Sequence, residues 1–169
     1  KSLGAQIPAL RHMHGFLSSQ IFVRPGAAEW LQGDGEIRNG SLQEIGFWDW
    51  IAKNFAIPEL QNIKFSQAQA RLTGTGERVG FSKFSIQAPD IQMSGDFYLK
   101  QNGLAEGFIS LDFARRLLEK SPSLTRLMRT SPASDTNFIF DFQLSGQMPG
   151  MNFRWLPSPL KTRIRSLIP

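Results

Sequence analysis

The stretch IQMSGDFYLKQNGLAEGFISLDF, residues 91 to 113, alternates apolar and polar side chains over two runs separated by a turn. Ile91, Met93, Phe97 and Leu99 share one phase and Gln92, Ser94, Asp96 and Lys100 the other. A period of two is the pattern of a strand with one buried face, because successive side chains point to opposite sides of a sheet. Asn102-Gly103 lies between the runs and tolerates the positive φ of a tight two-residue hairpin turn. Ile109, Leu111 and Phe113 then carry the apolar phase of the returning strand.

The same device recurs at Phe138, Phe140, Phe142 and Leu144, with Ile139, Asp141, Gln143 and Ser145 on the other side. Weaker strands are expected at about 14–24, 35–39, 61–73, 78–88 and 151–156. Their spacing of about 10–14 residues, punctuated by Gly, Asn and Pro, suits antiparallel hairpins better than parallel units with long helical crossovers. The expected fold is therefore mainly β with a few helices (α+β), a curved antiparallel sheet or β-groove in a single domain, residues 1–169.

Three helices are expected to interrupt the sheet, at about 42–54, 114–129 and 158–167. In the first, Ser41 and Glu44 have capping-box spacing and Leu42, Ile45, Trp48, Ile51, Ala52 and Phe55 follow at helical intervals, ending before Pro58. The second is broken near Pro122, where Ser121 or Ser123 can cap a restart. Pro159 is tolerated in the first turn of the third.

Composition narrows the function classes. The chain has 169 residues, 41% of them hydrophobic, with 14 Phe against a single Tyr and no Cys. Disulfides, thiol catalysis and Cys-bound zinc are excluded. No run of about 18 apolar residues offers a membrane-spanning helix. The chain starts at Lys1 and reads as a piece of something longer, with any anchor outside it. Residues 1–114 hold 10 Lys/Arg and 11 Asp/Glu, whereas 115–169 hold 9 and 3, so the net +5 belongs to the last third. That bias invites an anionic partner. Arg115, Arg116, Lys120, Arg126 and Arg129 interleave with leucines, and Lys161, Arg163 and Arg165 repeat the pattern in the tail. Both segments are candidates for contact with an anionic membrane surface. No recognition helix or RNA-binding motif accompanies them, and no nucleic acid is expected.

Catalytic signals are sparse. Gly33-x-Gly35 has Arg38 where a dinucleotide loop needs a third glycine, and no Gly-Lys-Ser/Thr follows, so these glycines are read as turns or bulges. His12 and His14 have no third ligand near in sequence; no metal and no cofactor are expected. Asp96, Asp112 and Asp141 fall on the polar phase of strands and would need to meet across the sheet to support acid catalysis.

The segment LQGDGEIRNGSLQEIGFWDWI, residues 31–51, resembles the pattern G-x-G-x-(I/V)-x-(N/D)-G-x-(L/F), followed by a helix, that opens the C-terminal region of AsmA-like proteins, the AsmA/TamB/YhdP class of bacterial envelope proteins. Gly33, Gly35, Ile37, Asn39, Gly40 and Leu42 carry the match, and Asp90, Ile91, Met93, Gly95 and Asp96 match a later strand of the family. The resemblance covers about residues 26–114; Asp96 and Tyr98 depart from the small residues often found there, as does the Arg-rich segment at 115–129. It implies a non-catalytic module of a periplasmic protein tethered to the inner membrane, similar to bridge-like lipid transfer proteins. The implied partners are phospholipid, an inner- or outer-membrane surface, and other envelope proteins.

Met93, Phe97, Leu99, Ile109, Leu111, Phe138, Phe140, Phe142 and Leu144 are the candidates for the lipid-facing side, and Ile45, Trp48 and Ile51 for a helix that closes one end of the groove or packs on its back. Two other classes are compatible with the strand pattern. One is a structural or assembly subunit of an envelope complex. The other is a carbohydrate-binding or carbohydrate-processing β-domain using Trp30 or Trp155.

Overall fold

The computed structural model describes residues 13–43, 46–122, 124–125, 129, 136–147 and 152–156. Eight strands form one open antiparallel sheet in strict chain order, β1 to β8. They are β1 (Met13–Val23), β2 (Glu29–Gln43), β3 (Asn62–Thr75), β4 (Arg78–Gln87), β5 (Ile91–Lys100), β6 (Leu104–Ala114), β7 (Asn137–Gln147) and β8 (Asn152–Trp155). Helix α1 (Gly46–Phe55) and the 3-10 turn η1 (Pro58–Gln61) lie between β2 and β3, and α2 (Arg115–Leu118) follows β6. The meander read from the alternation is thus the observed topology, and the mainly β fold class holds.

Consecutive hairpins sort the connections into two ends. The links after β1, β3 and β5 are short turns at one end, while α1, η1 and α2 sit at the other with the turn between β4 and β5. The described part of the molecule has a helical end and a turn end.

Several local expectations are corrected. The short strand expected at 35–39 is one 15-residue strand, β2, and Gly33, Gly35 and Gly40 lie inside it and mark no turn; Asn39 and Gly40 stand opposite Gly15 alone, a bulge in the pairing with β1. Gly40 is needed for approach: a Cβ there would fall 2.2 Å from the His14 carbonyl oxygen and 2.3 Å from the Phe65 ring. The Ser41 capping box does not form, because Ser41 is paired in the sheet with His14 and Lys64, and α1 begins at Gly46 and not at 42. Leu42 accordingly faces the core from a strand, 4% exposed.

Glu44 and Ile45 lie outside the described residues. Helix α1 ends as expected before Pro58, with Ala56 in the left-handed region at φ 53° and the Ile57 amide donating to the Ala52 carbonyl at 3.0 Å. The turn between β5 and β6 has three residues, Gln101 to Gly103, and only Gly103 takes positive φ, 83°.

The expected helix at 114–129 is divided. It stops after Leu118 and resumes at Pro122, where buried Ser121 accepts the Leu124 amide on Oγ at 3.3 Å. The expected helix at 158–167 lies outside the described residues.

Bulges bend the strands and keep the apolar phase in register. In β4 the pairs Phe81 to Phe97 and Phe84 to Gly95 leave Ser82 and Lys83 opposite Asp96 alone. Lys83 adopts φ 51°, and its amide donates to Asp96 Oδ1 at 3.0 Å. Phe81 and Phe84, three apart in sequence, thereby face the same side.

Candidate functional site: an apolar sheet face closed at one end

Following the register across the sheet traces a single apolar face. Leu72 pairs with Phe81, Phe81 with Phe97, Phe97 with Gly107 and Gly107 with Leu144. Toward the helical end a second row runs through Ala68, Ile86, Met93, Leu111 and Phe140. Toward the turn end a third row runs through Leu31, Gly74, Val79, Leu99 and Ala105. No charged side chain interrupts these rows.

Burial along this face is graded in β4 and β5, whereas in β6 and β7 it is uniform: Ala105, Ile109, Leu111, Phe138, Phe142 and Leu144 are all at 6% exposure or less. At the helical end Leu42, Phe65, Ile86, Met93, Leu111 and Phe113 are buried in one cluster with Trp48, Ile51, Leu60, Leu117 and Leu118 from the helices. Trp48 meets Phe113 edge-to-face, with ring centroids 6.4 Å apart. Burying such large side chains contributes about 1.5–3 kcal/mol each, which fixes the helices as a cap on that end.

Beyond the cap the exposure rises. In β4, Ile86 is buried while Phe84, Phe81 and Val79 are partly exposed; in β5, Ile91 and Met93 are buried while Phe97 and Leu99 are partly exposed. Leu17 and Val23 of β1 are 51% and 58% exposed.

All nine sequence candidates lie on this face. Seven of them, Met93, Ile109, Leu111, Phe138, Phe140, Phe142 and Leu144, are packed at 8% exposure or less. Phe97 and Leu99 are the accessible members. Leu31, Leu72, Val79 and Phe81 complete the accessible part and escaped the sequence reading, because glycines and the β4 bulge blur their alternation. Ile51 and Trp48 sit in the cap as expected.

The basic candidates are engaged differently. Arg115 bonds Glu119 at 3.0 Å, Lys120 bonds Glu59 at 2.6 Å, and Arg116 pairs with Asp90 while donating to the Pro89 carbonyl at 3.0 Å. These contacts tie α2 to η1 and to the turn between β4 and β5. Arg129 is exposed on helical backbone; Arg126, Lys161, Arg163 and Arg165 lie outside the described residues.

The opposite face is mainly polar, with Phe22, Phe108 and Ile139 exposed on it. A shallow depression of about 480 Å³ there is lined by Ser18, Asp34, Glu36, Gln69, Arg71 and Lys83. Arg71 bonds Asp34 at 3.1 Å, and Glu36, held by Arg38 at 2.7 Å and by Gln67, has its carboxyl shifted below the usual range, chiefly by the Arg38 hydrogen bond.

The three strand aspartates do not face one another: Asp96 is opposite Phe108, Asp112 is opposite Ile139 and Asp141 is opposite Ser110. Among the described residues no group of three or more His, Asp or Glu has metal-binding geometry. Trp155 packs on Phe140 at 5.6 Å between ring centroids.

No protein-family model, curated protein or solved structure matches the chain.

Proposed function

We propose that this chain is a non-catalytic module that shelters phospholipid acyl chains on its apolar sheet face, as part of a periplasmic envelope protein concerned with phospholipid transport or outer-membrane homeostasis. The observation that carries this reading is one continuous apolar face, sealed by helices at one end, whose β1 to β5 part is accessible toward the turns while β6 and β7 stay packed. A closed sandwich core needs a second layer over its whole face. Here the described helices cover one end of the strands only.

The physical benefit is large. A two-chain lipid exposes about 30 methylenes to water at about 0.8 kcal/mol each, on the order of 24 kcal/mol, and an apolar trough removes most of that barrier. The location and the tether rest on the resemblance to AsmA-like proteins alone.

Photo-crosslinking residues placed at Phe81 and Leu99 are expected to capture phospholipid. The same probe at Phe108 and Ile139, which are 57% and 55% exposed on the opposite face, serves as control. Equal capture at both pairs, or capture at neither, would overturn the proposal.

A further inference from the structure

The turn end of the sheet carries the chemistry of a membrane interface, with Arg78, Tyr98 and Lys100 on the face opposite the trough. Arg24 follows β1, and Arg78 and Lys100 face each other at the ends of β4 and β5. Their charged groups lie 5.5 and 6.0 Å from the ring of Tyr98, the only tyrosine in the chain. Trp30 sits at the same end, its indole N–H donating to the Gly76 carbonyl at 3.1 Å. Tyr and Trp with an apolar body and an anchored polar tip suit the boundary between head groups and acyl chains.

Phe22 and Val23, immediately before Arg24, are 54% and 58% exposed to water.

Charge pairing separates the two ends. Arg115, Arg116 and Lys120 at the helical end each hold a carboxylate, whereas Arg24, Arg78 and Lys100 form no ion pair among the described residues. At this end Glu29 opens β2, Glu77 lies in the exposed turn before β4, and Glu106 accepts the Tyr98 hydroxyl. Cations without a carboxylate partner, at the same end of the sheet as exposed apolar side chains, fit an anionic lipid surface better than they fit water.

We infer that the turn end docks on an anionic phospholipid bilayer, with Arg24, Arg78 and Lys100 among the head groups and Phe22 and Val23 entering the acyl boundary. The accessible end of the trough then opens onto the membrane. This docking rests on the lipid-sheltering reading of the face and adds the end by which lipid enters or leaves.

Flotation with vesicles of mixed phosphatidylglycerol and phosphatidylethanolamine, against vesicles of phosphatidylcholine, tests it. The full chain is expected to float with the anionic vesicles, less so as salt is raised. The pair Arg78→Glu with Lys100→Glu is expected to weaken that binding at least about tenfold. Lys53→Glu with Lys64→Glu makes the same change in net charge at the helical end and is expected to leave it unchanged.

Circular dichroism of each variant checks that the sheet is intact. Equal binding to neutral vesicles, no binding to either, equal loss in both variants, or loss only in the helical-end variant would each overturn the inference. Lipid capture at Phe81 and Leu99 with flotation indifferent to Arg78 and Lys100 would defeat the docking alone. Rim-dependent flotation without capture in the trough would defeat the lipid-sheltering reading.

Discussion

Single residues set how closely the strands approach. Gly40 has no room for a methyl group between the His14 carbonyl and the Phe65 ring, whereas a Cβ at Gly35 would make an ordinary 3.5 Å contact with Leu72. Gly40→Ala is therefore expected to cost about 1–3 kcal/mol by overpacking. Gly35→Ala is expected to stay within about 0.5 kcal/mol. Urea denaturation of the two variants separates them; equal effects would contradict the close approach. Ala56 holds a left-handed conformation at the end of α1, so Ala56→Gly is expected to raise stability by about 0.5–1 kcal/mol. Tyr98 offers a direct titration, since no other tyrosine contributes to the signal. Its hydroxyl donates to Glu106, which holds the phenol above its usual value of 10.0, with desolvation as a second cause. A raised folded pKa means that the contribution to stability is complete below the unfolded value and is lost as pH rises through the folded one. Tyrosinate absorbance is expected to appear above pH 10.0 in the folded chain and to move down in Glu106→Gln; a midpoint at the ordinary value would contradict the hydrogen bond. The sequence showed glycines in this region without showing why. A strand glycine that admits a neighbouring carbonyl looks the same in one dimension as a turn glycine, and the spacing Gly33-x-Gly35 carries no cross-strand information.

At the level of elements, the strands were legible and the helix starts were not. Alternation over 10 residues reports a half-buried strand directly, which is why β5, β6 and β7 were located from their apolar phase. The start of α1 was misplaced because Ser41 and Leu42 satisfy a helical pattern and a strand pattern equally well. Pairing with both His14 and Lys64 decided for the strand, since a tertiary ladder outweighs a local cap. The cap over the helical end depends on apolar burial more than on its ion pairs. Leu117 is 2% exposed in the core cluster, so Leu117→Ala is expected to cost about 2–5 kcal/mol. Lys120→Ala, which breaks an exposed pair with Glu59, is expected to have a small effect that diminishes with salt. The Lys120 hydrogen bond lowers the Glu59 pKa. Its contribution is therefore present above the ordinary carboxylate value of 4.5 and is lost as pH falls through the lower folded one. Comparing Glu59→Gln with the parent chain by urea denaturation across that acid range checks the sign: the two are expected to converge at low pH, and a gap that widens on acidification would contradict it.

For the whole molecule, the strict meander places the short turns after β1, β3 and β5 at one end and every described helix, with the turn between β4 and β5, at the other. One end of the apolar face is sealed and the other is bordered by cations and amphipathic aromatics. This polarity was only partly readable. The apolar phase of the face was visible, but which part stays accessible depends on where the helices fold back. The basic last third pointed to the segments at 115–129 and 158–168 as the anionic contact; among the described residues Arg115, Arg116 and Lys120 hold carboxylates, whereas Arg78 and Lys100 form no ion pair. The central claim, that the face is a lipid trough open toward the turns, is tested most directly by a crosslinker scan along β4 in the presence of phospholipid. Capture is expected at Val79 and Phe81, to fall at Phe84, and to be absent at buried Ile86 and at the opposite-face position Ser85. Uniform capture along the strand, or capture that ignores the alternation between the two faces, would contradict it.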